Sequence, residues 1–197
     1  MKTTKSLLLI AIAVGFLNAA QATTVIPPTF DELCAQAELI FQGSVTNVRS
    51  MWVGEGGNRH IATYVTFKVE DAIKGNPGQS YTMRMFGGTV GEDTMGISDA
   101  PTFKVGDDQI LFVEHNGSQL IPLVGIMHGQ FKVEHDQNGQ EMVTDDEGKP
   151  VRNTAHLGHT KEANGAVTNA AATQTSEGRL SAAAFKAAVR SKVGAAN

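Results

Sequence analysis

Cysteine is nearly absent from this sequence, since Cys34 is the only one among 197 residues. A chain with one cysteine forms no internal disulfide, so its stability depends on a buried core. Basic residues are also few and scattered, with 16 Lys and Arg against 20 Asp and Glu and a formal net charge of −4. A nucleic-acid-binding surface needs a concentrated basic footprint, so we expect no nucleic-acid partner.

Long apolar runs are missing beyond the N-terminus. The run from Leu7 to Leu17 has 11 residues, whereas a membrane-spanning helix needs about 20, so we expect no membrane span. Lys2 and Lys5 precede the run, and Ala20-Gln21-Ala22 follows it in the small-x-small form that signal peptidase recognises. We therefore predict that residues 1–22 are a signal peptide and that the mature protein is exported, to the periplasm or to the exterior.

Short segments with strand periodicity predict a mainly β domain over residues 23–152. The clearest runs from Ile61 to Ile73, where apolar and polar side chains alternate as in a half-buried antiparallel strand. Turn residues recur about every ten positions, which is typical of a β-barrel or a β-sandwich. Gly43 indicates a bulge in an earlier strand. A short N-terminal helix is predicted because Thr29 and Glu32 have the spacing of a capping box.

Two Asn-Gly pairs predict hairpins in the second half of this domain. Asn116-Gly117 is expected to join strands at 109–114 and 120–124, and Asn138-Gly139 is expected to join two later strands. The polar segment from Thr89 to Ala100 has no strand pattern and is predicted to be a loop.

The composition changes after the β domain. Residues 153–178 contain only Leu157 and Val167 as large apolar side chains, too few to offset the entropy lost on ordering. We therefore predict a flexible linker rich in Ala, Thr and Asn.

An amphipathic C-terminal helix is predicted within residues 179–197. Ser181 is placed to cap a helix from Ala182 to Val193 that Gly194 ends. Its apolar stripe has helical spacing and consists of Phe185, Val189 and Val193.

No catalytic motif is present. The chain lacks a Gly-x-Ser-x-Gly turn and lacks a cysteine beside a histidine, which are common settings of a nucleophile. Cys34 shares a helix face with Leu33 and Ala37, which predicts a buried thiol and not a reactive one. We therefore predict that the protein is not an enzyme, with no catalytic residue and no cofactor.

The histidines are the side chains most suited to a metal. His156 and His159 are three residues apart, a spacing that reaches one ion when the segment is helical, although Gly158 interrupts it. Three others lie near strand ends, where a barrel would bring them together, namely His115, His128 and His135. Surface histidines are the commoner outcome for such positions. The alternative function is thus a metal-binding or metal-dependent protein, with no ligand assigned.

Two acidic turns have some character of calcium loops. Asp136-Gln137-Asn138-Gly139 and Asp145-Asp146-Glu147-Gly148 offer hard oxygen ligands close in sequence. Neither has the full ligand spacing of the twelve-residue calcium loop. We predict solvated hairpin tips at both.

Three segments together resemble a known superfamily. They are Ala37 to Val45, Ala62 to Glu70 and Ile73-Lys74-Gly75, and their succession is similar to that of the netrin-module and tissue-inhibitor-of-metalloprotease superfamily. Similar patterns occur in uncharacterised bacterial secreted proteins, which this chain also resembles in Gly87-Gly88 followed by Ala100-Pro101-x-Phe103-x-x-Gly106-Asp107 and Ile110 to Val113. The resemblance implies an OB-fold barrel with flanking helices and a protein-binding role.

The resemblance implies no inhibitory residue. Inhibitors of that superfamily bind the protease zinc through an N-terminal cysteine, whereas Cys34 lies inside the predicted mature chain. The superfamily's disulfides are also absent.

These observations predict a mainly β, OB-like closed barrel, or alternatively a β-sandwich, with an N-terminal and a C-terminal helix. The favoured function is an exported non-catalytic module that binds an extracellular or envelope protein and acts on or with an extracellular protease. Rim loops of a barrel are free for recognition, so the predicted surface is the loops at Trp52 to His60 and Thr89 to Ala100. Trp52 itself is predicted to pack at the barrel lip. A structural envelope component that self-assembles is a third interpretation.

Overall fold

The computed structural model describes residues 26–158 and 178–195. They form a mainly β structure in which six antiparallel strands make one sheet in the order β3-β2-β1-β6-β7-β8, and β4 pairs with β5. The predicted signal peptide, residues 1–22, lies outside the described residues. The elements are α1 (Phe30–Gln36), β1 (Leu39–Val53), β2 (His60–Lys74), β3 (Ser80–Phe86), β4 (Gly88–Val90), β5 (Asp93–Met95), β6 (Asp108–Val113), β7 (Gln130–His135), β8 (Glu141–Thr144) and α2 (Ala182–Ala195).

The predicted capping box begins α1. The Thr29 backbone N–H donates to the Glu32 carboxylate at 2.8 Å, and the Glu32 N–H donates to the Thr29 hydroxyl at 3.3 Å. Two backbone donors at the helix start are thereby satisfied. The prediction for this helix is confirmed, and it places Leu33 and Cys34 in the core.

The long β1–β2 hairpin contains the bulge predicted at Gly43. The register shifts between Gln42 and Gly43 and again between Val45 and Asn47. A Cβ on Gly43 would lie 2.6 Å from the Lys68 carbonyl oxygen, which only glycine avoids. Bulges bend a strand and increase its twist. The β1–β2 hairpin can therefore contribute side chains to the core near Phe41 and continue past the core toward Val53.

Two hydrophobic clusters cover the two faces of the sheet. The inner cluster packs on one face and includes Phe41, Val65, Phe67, Met83, Phe103, Leu111 and Leu123. The outer cluster lies under the two helices and includes Leu33, Ile40, Phe112, Phe131, Val143, Phe185 and Val189. Burial on both faces explains why β6 is apolar at consecutive positions.

Helix α2 packs directly on the sheet. The fully buried Phe185 ring lies 4.8 Å from the Phe131 ring, 6.0 Å from the Phe30 ring and 6.2 Å from the Phe112 ring, measured between centroids. Lys186 and Arg190 both pair with Asp71 on β2. The C-terminal helix is therefore part of the domain's core.

Helix α2 also extends past its predicted end. It continues through Gly194 to Ala195, whereas Val193 was expected to be its last residue. Glycine stops a helix by adopting a left-handed conformation, and Gly194 does not adopt a positive φ. At the other end the Ser181 hydroxyl accepts from the Ala184 N–H at 3.2 Å, as expected of a cap.

The predicted linker begins in contact with the domain. Residues 154–156 form a short 3-10 turn, and Leu157 packs against the outer cluster. Residues 159–177 of the predicted linker lie outside the described residues.

The chain reverses at Asn116-Gly117 as predicted, but the return segment forms only a short pairing and not a full strand. One antiparallel bridge joins Val113 and Leu123, and the Glu114 N–H donates to the Pro122 carbonyl at 3.2 Å. The Asn116 amide also donates to the Thr82 carbonyl at 2.9 Å and accepts from the Arg84 N–H at 3.0 Å. An unpaired strand edge must be satisfied or protected, and this side-chain amide pairs with the edge of β3.

The prediction of a loop without strands at Thr89 to Ala100 is wrong. The segment contributes Thr89 and Val90 to β4 and all of β5. Gly91, at φ +63°, makes the turn between the two strands, a conformation that favours glycine. The Thr89 and Thr94 hydroxyls, paired across them at 3.0 Å, stabilise this small hairpin.

Within residues 26–158 and 178–195, no helix has the length and apolar character needed to cross a membrane.

We predict that Phe185→Ala lowers the free energy of unfolding by about 3–5 kcal/mol, the usual cost of emptying a buried aromatic site. Urea unfolding followed by circular dichroism measures it. Ser191→Ala, an exposed change on the same helix, is the control and should change stability by less than about 0.5 kcal/mol. Equal stability of the two variants would show that α2 does not hold the core together.

Candidate functional site

The two loops predicted as a recognition surface lie together in the structure. The Gly87 N–H donates to the Ile61 carbonyl at 2.7 Å, and the Ile61 N–H donates to the Met95 sulfur at 3.4 Å. These contacts hold the β4–β5 hairpin across the end of the β1–β2 hairpin. We call residues 52–60 and 88–95 the tip surface.

Gly88 permits this close approach. Its φ is +131°, and a Cβ at this position would collide with the hydroxyls of Ser50 and Thr63. Those two hydroxyls are hydrogen-bonded to each other at 2.8 Å, and Thr63 also donates to the Gly87 carbonyl at 2.6 Å. The hairpin is therefore fixed to the sheet by backbone and hydroxyl contacts.

Trp52 is partly exposed on the tip surface. The Arg59 guanidinium carbon lies 4.3 Å from the centroid of its ring, a cation–π arrangement. Residues 54–59 beside it are exposed. Trp and Arg are the residue types most enriched at binding hot spots, so this pair is a candidate anchor for a partner.

The side of β1, β2 and β3 that is opposite the inner cluster adjoins the tip surface. Val48, Val65 and Met83 point into the inner cluster, and because side chains alternate along a strand, their neighbours point outward. Helix α2 covers the lower part of this side, where Lys186 reaches Gln42 and Asp71. The part of this side between helix α2 and the tip surface we call the open face. It consists of Asn47, Arg49, Met51, Val53, His60, Ala62, Tyr64, Thr66, Thr82, Arg84 and Phe86.

Aromatic and basic side chains meet on the open face. The His60 ring stacks on the Phe86 ring with centroids 5.5 Å apart. An Arg84 guanidinium nitrogen lies 3.0 Å from His60 Nε2. In the register of the sheet, Arg49, Tyr64 and Arg84 are directly opposite one another.

A cleft occupies a different part of the molecule, at the turn after β8. His128 Nδ1 lies 3.4 Å from a carboxylate oxygen of Asp146, and these side chains are only 20% and 14% exposed. The pair lies where two cavities of about 210 and 490 Å³ adjoin. Pro28, Phe131 and Leu157 supply apolar walls.

Carboxylate pKa values in this cleft move in opposite directions. Burial raises the pKa of Asp146, but the hydrogen bond and charge of His128 outweigh it, so the pKa lies below its ordinary value. Burial raises the pKa of Asp145, and the neighbouring charges of Asp146 and Glu147 add to this. Asp145 and Asp146 are half-buried whereas Glu147 and Gly148 are exposed, so only the second half of this turn is the solvated tip that was predicted.

The histidines predicted near strand ends lie apart. His115 pairs with Glu38 at 2.8 Å, His128 lies in the cleft, and His135 is exposed at the end of β7. His156 lines the cleft, and His159 lies outside the described residues. In residues 26–158 and 178–195, no three His, Cys, Asp or Glu side chains form a group suited to a metal ion.

Both acidic turns use carboxylates to cap backbone N–H groups. Asp136 accepts from Asn138 and Gln140, each at 2.8 Å. Asp145 accepts from the Lys149 N–H at 2.7 Å. These bonds are typical of Asx turns closing a hairpin.

Comparisons with protein-family models, with curated proteins and with solved structures found no match. Function is therefore inferred from the surfaces of the chain itself.

The sequence indicated the tip surface by loop length but did not indicate the open face. The alternation of β2 places Tyr64 and Thr66 on its polar side. Their association with Arg49 and Arg84 depends on strand register, which sequence periodicity does not fix. The acidic residues of the cleft were noted only as turn residues, since their pairing with His128 joins segments distant in sequence.

We predict that Cys34 is inert in the folded protein. Burial, with a smaller contribution from the Asp31 charge, raises the pKa of its thiol to about 11, so almost no thiolate exists at neutral pH. Ellman's reagent should react with native protein far more slowly than with protein unfolded in guanidinium. Rapid stoichiometric labelling of the native protein at pH 7 would contradict this.

We predict that His128→Ala raises the pKa of Asp146, because burial then acts with less opposition. In the wild type, stabilisation from this carboxylate is present above its ordinary pKa of 3.8 and is lost as pH falls through the lowered value. NMR titration of the carboxyl carbon measures the shift. His115→Ala is the control and should leave Asp146 unchanged; an unchanged Asp146 pKa in His128→Ala would disprove the pairing.

Proposed function

We propose that this protein is an exported, non-catalytic module that binds an extracellular or cell-envelope protein. The observation that carries the proposal is the joining of two separate loops into one tip surface, with Arg59 stacked on a partly exposed Trp52. Loops positioned by a rigid sheet are common sites of recognition. The signal-peptide pattern supports export, and the resemblance to protease inhibitors supports a partner that is, or acts with, a protease.

We further propose that the sheet is an OB-like barrel. The ladder itself ends at β3 and β8. Support comes from the segment after β6, where the Leu120 carbonyl accepts from the Phe86 N–H at 2.7 Å and the Asn116 amide binds β3. These bonds bring β3 toward the end of β6 around the inner cluster, where Phe103 packs on Phe67 with centroids 5.6 Å apart.

A non-catalytic role agrees with the placement of the reactive side chains. Cys34 is buried with a raised pKa. Among the described residues that line the cleft around the His128–Asp146 pair, none is a serine or a cysteine. The metal-binding alternative would use His128 and His156, which both line the cleft.

The test is a pull-down with tagged residues 23–197 as bait against the secreted and envelope proteins of the source, with and without a metal chelator. Arg59→Ala combined with Glu92→Ala removes one cation and one anion from the exposed tip. Lys149→Ala combined with Glu147→Ala makes the same charge change at the turn after β8 and is the matched control.

A single stoichiometric partner that the tip variant loses and the control keeps supports the proposal. Capture unaffected by the tip variant would contradict the proposed surface. Absence of any partner, together with metal retained by the purified bait, would favour the metal-binding alternative.

A further inference from the structure

The open face carries cations and no carboxylates, although the chain as a whole is acidic. Its cross-strand rows on β1, β2 and β3 contain Arg49 and Arg84 and no Asp or Glu. The adjoining row contains Lys68, and in that row Asp108 of β6 lies opposite Ser44. The formal net charge of the full chain is −4, and the predicted loss of Lys2 and Lys5 makes it more negative. Glu55, Glu92 and Asp93 belong to the adjoining tip surface, and Glu70 lies on β2 beyond Lys68.

These cations lack the ion pairs that other cations of the protein form. On α2, Lys186 and Arg190 pair with Asp71, and Lys192 pairs with Asp31. Among the described residues no carboxylate is within ion-pair distance of Arg49 or Arg84. The Arg84 guanidinium contacts the Gly117 carbonyl at 3.4 Å and the His60 ring, neither of which is a carboxylate. Both guanidinium groups therefore retain donors for an external anion.

The row geometry suits two carboxylates held across an aromatic ring. Arg49 lies on β1 and Arg84 on β3, with Tyr64 of β2 between them. Adjacent strands are about 4.8 Å apart, so the backbones of the two arginines are separated by roughly 10 Å. Guanidinium groups bind carboxylates in bidentate fashion, and the partly exposed Tyr64 and Phe86 add apolar area.

A partner would bind the open face of the sheet and not the edge of β3. The outward backbone groups of β3 are satisfied by Asn116 and Leu120, which leaves no free ladder at these positions for an added strand. A nucleic acid is disfavoured because its binding scales with many phosphate contacts, and this face offers few cations within an acidic protein.

We propose that the open face binds an acidic, aromatic-containing segment of a partner protein, with Arg49 and Arg84 pairing with its carboxylates. This partner chemistry rests on the proposed protein-binding function and specifies the ligand of the surface next to the tip.

The test is a fluorescence-anisotropy titration of residues 23–197 with a labelled, end-blocked peptide of alternating glutamate and tyrosine. Arg49→Glu combined with Arg84→Glu should weaken binding by at least about tenfold, and raising the salt concentration should weaken it in the wild type. Arg49→Glu alone, which alters an exposed side chain, should weaken binding by about threefold. Circular dichroism confirms that each variant is folded.

The matched control is Lys104→Glu combined with Lys132→Glu, which changes the net charge equally at a groove beside β7. Its binding should stay within about twofold of the wild type. Equal loss in both double variants would overturn the proposal in favour of a net-charge effect. Tighter binding to a lysine–tyrosine peptide, to single-stranded DNA or to phosphatidylglycerol vesicles would also overturn it.

The pull-down separates this proposal from the proposed function. A partner that is still captured after Arg49→Glu with Arg84→Glu, but lost with the tip variant, keeps the protein-binding function and removes the acidic-partner inference. Loss of the partner in the double arginine variant supports it.

Discussion

The packing of Phe185 against the sheet is the interaction on which the rest of the structure depends. Its ring contacts Phe30 of α1, Phe112 of β6 and Phe131 of β7, so one side chain joins both helices to the sheet. Burial of such an aromatic cluster supplies stability that a chain with one cysteine cannot obtain from disulfides. The position of α2 also decides which part of the outer sheet face is covered and which part remains in contact with solvent.

The bulges of β1 lie between the part of the outer sheet face that α2 covers and the part that it leaves uncovered. Below them, Ile40 and Gln42 lie under α2; above them, Arg49 and Met51 continue the same side of the sheet without a covering element. The register shift at Gly43 and Val45 keeps Val48 in the inner core while the strand continues beyond the helix. The open face and the tip surface are thus consequences of a hairpin longer than the helix that covers it.

Local signals in the sequence predicted the local structure well. The capping box at Thr29 and the alternation of β2 depend on neighbouring residues, and both are present. The predictions that failed depend on distant contacts. The strand predicted at 120–124 is reduced to one bridge while the Asn116 amide binds β3, and the open face required the register of three strands. Periodicity determines which residues share a side of one strand, but only pairing determines which residues they meet.

We propose that the open face of β1, β2 and β3 is a recognition surface, and hydroxyl-radical footprinting of residues 23–197 with and without the partner captured by the pull-down would map it. We expect reduced oxidation of Met51, Tyr64 and Phe86 in the complex. Protection confined to Met127 and His128 in the cleft, with those three side chains unchanged, would contradict it.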